Sequence, residues 1–220
     1  MYLRWLITTA LLFIITLFNS RSYPETLMGA KVGLNRNSTS ASNTNYYSRF
    51  AFGYFCKYAP RKLGNTSIQF EFLFSQKGSQ GGELFLRQEY FSNDYNDKWH
   101  SKRDYYDINL LFKHNITPRK RIYINPFIGP TYSYLQYAEE RYHDEYEGIW
   151  RIAETKNSYN KWDWGMMLGV DLEYRTGELL LMCQTSYYQG FRDIYKNGIE
   201  TTTNRGFNIS LGLGMTFIGK

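Results

Sequence analysis

Residues 162–174 read Trp-Asp-Trp-Gly-Met-Met-Leu-Gly-Val-Asp-Leu-Glu-Tyr. Every second residue is large and apolar, from Trp162 through Trp164, Met166, Leu168, Val170 and Leu172 to Tyr174. The alternate positions hold Asp163, Gly165, Met167, Gly169, Asp171 and Glu173. Successive side chains of a strand point to opposite faces, so this period of two predicts a strand with one oily side and one wet side. The pattern returns where Ile68, Phe70, Phe72 and Phe74 alternate with Gln69, Glu71, Leu73 and Ser75. It returns again where Phe207, Ile209, Leu211, Leu213, Met215 and Phe217 alternate with Asn208, Ser210, Gly212, Gly214 and Thr216.

Working outward from these segments, runs of alternation between breaker clusters predict eight strands, at 28–36, 46–58, 66–77, 104–114, 121–136, 161–175, 178–192 and 205–218. Each approaches or exceeds the ~9–11 residues with which a tilted strand crosses a bilayer. The connectors at 59–64, 115–120 and Thr176-Gly177 are short, whereas those at 37–45, 78–103, 137–160 and 193–204 are longer and polar. Short turns on one rim and long loops on the other predict an all-β fold, an eight-stranded antiparallel up-and-down transmembrane β-barrel in a bacterial outer membrane. The short turns and, because the strand number is even, both termini are then expected in the periplasm.

A soluble eight-stranded calycin-like barrel is the structural rival, with its apolar side turned inward. It would have to hold Trp162, Trp164, Phe70, Phe72, Phe74, Phe207 and Phe217 together inside, which disfavours it. With the apolar side on lipid, the interior receives a polar network of Lys31, Arg49, Glu71, Asp107, Lys113, Asp171, Glu173 and Arg175. Asn35, Lys57, Gln69, Lys77, Asn109, Asn125, Asp163, Gln184 and Asn208 join it there. An eight-stranded barrel is just wide enough to be filled by side chains, and charges buried in it must be paired. The expected interior is a hydrogen-bonded solid and not a pore.

The chain opens with Arg4, an apolar run from Trp5 to Phe18, and the small residues Ser20 and Ser22. Residues 1–22 therefore read as a removable signal peptide and 23–220 as the barrel domain. A retained membrane helix would need ~20 apolar residues, more than this run supplies. Removing the leader takes Arg4 and Arg21 and no acidic residue, so 26 basic and 20 acidic side chains become 24 and 20, a formal charge of +4. So mild a balance gives no nucleic-acid signal. The mean hydropathy of −0.52 does not argue against a membrane protein, because a barrel needs only a thin apolar belt.

Cys56 and Cys183 fall on outward positions far apart in the barrel and are expected to be free, lipid-facing thiols. No metal and no cofactor is expected. His114 falls at a periplasmic strand end, while His100, in the loop that holds Ser92 and Ser101, and His143, among Glu139, Glu140, Asp144 and Glu145, are loop residues whose sequence gives no basis for a base within hydrogen-bond reach of a nucleophile, so the chain is read as a non-enzyme. The acidic stretch 137–148 lacks the ligand spacing of a calcium loop and is expected to form a solvated hairpin that extends the strands. The glycine-rich stretch 74–83 lacks the helix and Lys-Ser/Thr of a phosphate loop. Tyrosine supplies 21 of 220 residues and gathers at strand ends, as Tyr46 and Tyr47, Tyr105 and Tyr106, Tyr132 and Tyr134, and Tyr187 and Tyr188. These are expected to form aromatic girdles at the headgroup level. Tyr90, Phe91, Tyr95, Trp99, Trp150 and Tyr159 lie in the two longest loops, where a rigid scaffold would present them to a protein or glycan partner.

Six segments carry a resemblance: GAKVGLN at 29–35, FEFLFSQKG at 70–78, YDINLLFKHNI at 106–116, NPFIGPTYSYL at 125–135, WDWGMMLGVDLEY at 162–174 and NRGFNISLGLGMTF at 204–217. In these the chain resembles the PorT-like family of small outer-membrane β-barrel proteins of Bacteroidetes-type Gram-negative bacteria. Ser-Gln-Lys-Gly at the end of the third strand and Gly-Pro in the fifth are the most specific. The chain departs from a frequent barrel pattern in carrying Ile218, Gly219 and Lys220 beyond Phe217. The resemblance implies an eight-stranded barrel and an association with the type IX protein-secretion and gliding apparatus. It supplies no catalytic residues. The expectation is thus a structural or surface-binding barrel in contact with outer-membrane lipid. An accessory role in type IX secretion and an outer-leaflet lipid A-modifying activity are the alternatives.

Overall fold

The computed structural model describes residues 25–40, 45–60, 63–80, 99–117, 121–144, 149–196 and 201–218. The leader at 1–22, and Tyr90, Phe91 and Tyr95, lie outside the described residues. Nine strands follow in order: β1 (Glu25–Thr39), β2 (Asn45–Ala59), β3 (Thr66–Gln80), β4 (Trp99–His114), β5 (Ile122–Asp144), β6 (Ile149–Glu154), β7 (Trp162–Thr176), β8 (Leu179–Gly190) and β9 (Asn204–Ile218). All pairings are antiparallel; β1 pairs with both β2 and β9, and β4 with both β3 and β5, so eight strands close on themselves. The remaining strand, β6, pairs with the far end of β5 from Glu139↔Glu154 to Asp144↔Ile149. The acidic stretch up to Asp144 thus pairs with β6 in an arm that carries the wall beyond the barrel, in line with the expected strand extension, although Ala138, Glu139 and Glu140 in it are buried and not solvated.

The alternation sets the register. On β9, Phe207, Ile209, Leu211, Leu213, Met215 and Phe217 are between 49% and 62% exposed, while Asn204, Gly206, Ser210, Gly212 and Gly214 are buried. From 207 to 217 a rise of about 3.3 Å per residue gives ~33 Å along the strand. Tilted by roughly 40°, that becomes ~25 Å, the height of an outer-membrane apolar band. The outward apolar face is thus long enough for a bilayer and no longer.

The β7–β8 hairpin turns on Gly177 and Glu178, with Gly177 at φ +59°, the left-handed region that a residue without Cβ enters freely. Within β5 the pairing to β4 passes from Asn109↔Thr131 to Phe112↔Ile128, skipping Gly129 and Pro130, where proline has no N–H to donate. Higher up, an extra residue between Tyr105↔Leu135 and Asp104↔Tyr137 shifts the phase of β5. Beyond this bulge, the inward positions become Ala138 and Glu140.

Three expectations need correction. Tyr105 and Tyr188 do not belong to a lipid-facing girdle; both are buried inside the barrel, because neighbours in a strand cannot share a face. Cys56 is on the outward parity yet only 8% exposed, set between its cross-strand neighbours Met28 and Phe70. It and Cys183 are free. The interior also holds more hydrocarbon than a polar network implies, with Leu27, Phe55, Leu180 and Met182 packed together near the short-turn rim. The Phe55 ring fits there because Gly29 and Gly214 lack side chains; a Cβ on Gly29 would stand 2.6 Å from its Cζ.

Candidate functional site

The lumen is a stack of charge-paired layers. Nearest the short turns, Glu173 accepts hydrogen bonds from Lys57 at 2.5 Å and Arg175 at 3.0 Å, and Arg175 also donates to Glu25 at 2.6 Å. Next, Asp171 is paired with Lys113 and accepts from Asn125 at 2.6 Å. Above it, Glu71 takes three donors: Lys31 at 2.7 Å, Gln69 at 2.6 Å and Asn109 at 2.8 Å. Lys31 reaches Gln184 as well, at 3.2 Å. Towards the long loops, Lys77 donates to Asp107 at 3.1 Å and Ser133 at 2.9 Å, and its Nζ lies 4.7 Å and 4.6 Å from the ring centres of Tyr105 and Tyr188. Of the eight polar residues named for the interior, Lys31, Glu71, Asp107, Lys113, Asp171 and Glu173 are buried in it. Arg49 and Arg175 are half-buried at its two ends.

A cavity of about 30 Å³ lies within the lumen, with Lys31, Ser75, Asp107, Thr131, Ser186 and Asn208 among its walls. At roughly 10–15 Å³ per water it takes a water or two. Ala51, Leu73, Met167 and Phe207 complete the walls, and so small a volume suits a water held by the polar side chains.

Two connections fold together over part of the long-loop mouth. The connection after β6, with a 3-10 turn at Lys156–Ser158, packs against the connection after β8. Asn160 N–H donates to the Ile194 carbonyl at 2.8 Å, Lys196 N–H to the Ser158 carbonyl at 3.1 Å, and the Asn160 side chain to the carbonyls of Asp193 and Tyr195 at 2.9 and 2.8 Å. Under this cap lies a second apolar core of Tyr105, Leu135, Ala138, Tyr159, Ile194 and Tyr195. Tyr159 and Tyr195 stack at 4.9 Å, and the Tyr159 hydroxyl donates to Glu140 at 2.7 Å. Burial pushes the phenols of Tyr159 and Tyr195 above the ordinary tyrosine range, so both stay protonated donors at neutral pH.

Tyr159 is therefore a pillar of the cap, 1% exposed, and not a residue presented to a partner as the sequence suggested. A loop tyrosine in a polar stretch gives no sign that two connections will fold over it. Trp99 opens β4 and Trp150 lies in β6, so both sit on the extended wall; their side chains lie outside the described residues.

Sequence reading missed Arg103. It is 1% exposed, its Cζ lies 5.4 Å from the Tyr159 ring centre, and none of its guanidinium nitrogens has a hydrogen-bond partner among the described residues. Asp163 and the hydroxyls of Tyr105, Tyr159 and Tyr195 stand within electrostatic reach of it. Asp163 itself accepts from Tyr188 at 3.1 Å and Asn204 at 2.7 Å through one oxygen. The inward parity of 103 on β4 could have found the arginine, although not its isolation.

Among the described residues no group of three or more His, Cys, Asp or Glu side chains is placed to hold a metal ion. His100 packs against Tyr47 with ring centres 5.3 Å apart, His114 lies within 3.2 Å of the Thr66 hydroxyl at the short-turn rim, and the His143 side chain lies outside the described residues.

The family model for the outer membrane protein beta-barrel domain matches residues 20–196. No curated protein matches the chain. Among solved structures, the chain is similar to the outer membrane protein OprG of Pseudomonas aeruginosa, with 10% identity over 89% of this chain and 97% of that one at a TM-score of 0.51. It is similar also to a major outer membrane protein of Thermus thermophilus, with 11% identity over 90% of this chain and 100% of that one at a TM-score of 0.51. The attachment invasion locus protein Ail of Yersinia pestis aligns over 88% of this chain and 99% of its own at 10% identity and a TM-score of 0.45. At these identities the likeness to the Pseudomonas and Thermus proteins speaks for the fold alone.

Proposed function

This chain belongs to the outer membrane protein beta-barrel domain family, and from that premise we propose that it is a non-conducting surface barrel whose capped long-loop end binds a protein or glycan outside the cell. The observation that carries this reading is the contrast between a lumen stacked with ion pairs and a mouth built up into a folded cap and an extended three-stranded wall of β4, β5 and β6. A barrel of this kind anchors and presents. The signal peptide at 1–22 delivers it across the inner membrane, and the short turns and both termini face the periplasm, in keeping with the general pattern of such barrels.

Trp99 and Trp150, on the projecting wall, and Tyr90, Phe91 and Tyr95 are the proposed contact residues. Aromatic side chains on a rigid support offer large contact area at low cost in conformational entropy. The narrower reading, an accessory part of the type IX secretion apparatus, is supported by the PorT-like segments of the sequence. Co-purification with secretion components, together with loss of cargo export in a deletion strain, is its expected signature; normal export would remove it.

Planar-bilayer recording tests the non-conducting reading directly. The expected result is a silent membrane containing folded protein, and a steady single-channel current would overturn it.

A further inference from the structure

Two flanks of the long-loop end treat their outward cations differently. On the β4–β5 flank they are matched by acids, Lys102 to Asp104 at 3.6 Å and Arg141 to Glu139 at 2.8 Å. On the β1–β9 flank Arg36 and Arg205 have no acidic partner among the described residues. Cross-strand register sets Arg36 opposite Phe207 and Ser38 opposite Arg205. The two arginines are thus diagonal neighbours on one face of an antiparallel pair, with Cβ atoms about 7–8 Å apart, close enough for long side chains to meet on one anion.

Their height on the barrel identifies the anion. On the same rungs of the wall runs an aromatic row: Phe207, opposite Arg36, lies 6.3 Å from Tyr46 and 5.0 Å from Tyr187, and the Arg36 guanidinium sits 5.9 Å from the Tyr46 ring centre. Below that row the outward residues are Leu34, Ile209 and Leu211, all exposed. Aromatic rows of this kind settle at the headgroup level of a bilayer. Arg36 and Arg205 therefore lie where lipid headgroups begin, facing the lipid and not the lumen.

We propose that Arg36 and Arg205 clamp a phosphate of a phosphorylated glycolipid in the leaflet at the long-loop end. Guanidinium groups present paired N–H donors that match phosphate oxygens, and they pair well in partly dry surroundings. Tyr46, Phe207 and Tyr187 form the apolar shelf against which the first acyl carbons lie. The inference rests on the surface-barrel reading, which makes that leaflet the outer one.

The test uses full-length mature protein folded in detergent, with retention of diphosphorylated lipid A followed by native mass spectrometry. Wild type retains the lipid, and R36Q/R205Q retains about thirtyfold less, the scale expected for two interfacial arginines. K102Q/R141Q, on the matched flank, retains it as wild type does. Lipid A stripped of phosphate binds wild type as weakly as the intact lipid binds R36Q/R205Q. A heat-modifiable gel shift certifies each variant as folded. Undiminished retention by R36Q/R205Q, equal binding of dephosphorylated lipid, or full displacement by millimolar inorganic phosphate would overturn the proposal. Whole-cell labelling of Ser158→Cys reports orientation separately; failure to label would overturn the surface reading without altering the detergent result.

Discussion

The two ends of the lumen are built by different rules. In the half nearer the short turns, Glu173, Asp171 and Glu71 each face a cation and at least one further donor, so each of these buried charges is compensated. In the half under the cap, Arg103 is buried without a hydrogen-bond partner among the described residues, and Thr155 and Asp163 each keep a side-chain oxygen without a hydrogen bond there. The difference lies in the charges: Gln69, Asn109 and Gln184 of the lower half also keep a buried polar atom without a hydrogen bond, but its charged carboxylates are all matched by cations, whereas the Arg103 guanidinium of the upper half makes no hydrogen bond among the described residues.

Breaking the lower half should have the largest effect. Glu71→Leu strands Lys31 in the lumen with its neighbours Gln69 and Asn109, and a loss of about 3–5 kcal/mol is expected from urea unfolding in lipid vesicles. Replacing Lys113 and Asp171 together, by Met and Leu, should cost less than either change alone, since only the double variant leaves no bare charge; equal or greater loss in the double variant would refute the pairing.

The upper half should respond more weakly. Arg103→Met removes a buried cation that has no hydrogen-bond partner among the described residues but stands within electrostatic reach of Asp163, so the two effects oppose each other and a smaller change than that of Glu71→Leu is expected in the same assay. A large loss there would show that Arg103 is held by interactions beyond the described residues. Tyr159→Phe deletes the bond to Glu140 and should cost about 1 kcal/mol, with faster hydrogen exchange confined to 155–161 and 191–196. Smallest of all, Lys102→Gln breaks a partly exposed pair with Asp104 and should shift stability by less than about 1 kcal/mol.

The fold was legible because a single physical rule, the period of two, governs every strand and is enforced by lipid on one side and charge pairing on the other. Glu71, Asp107, Lys113 and Asp171 were assigned to the lumen from parity alone, and they lie there. What parity could not supply was partnership: that Lys113 meets Asp171 across the barrel, 58 residues away, depends on closure and stagger. The cap was illegible for a related reason. Tyr159, Ile194 and Tyr195 come from two connections that carry no periodic pattern, and their burial follows from one loop folding over another. The bulge near Gln136, which turns Ala138 and Glu140 inward, likewise leaves no mark in the alternation.

The central claim is that odd positions of β9 meet acyl chains while even positions meet the lumen. Nitroxide labels at Leu211 and at Ser210, each in a chain lacking Cys56 and Cys183 and folded in lipid vesicles, test it most directly by collision with oxygen. The account predicts frequent oxygen collisions at 211 and a label at 210 that is shielded and immobile. Frequent collisions at 210 with shielding at 211 would contradict it.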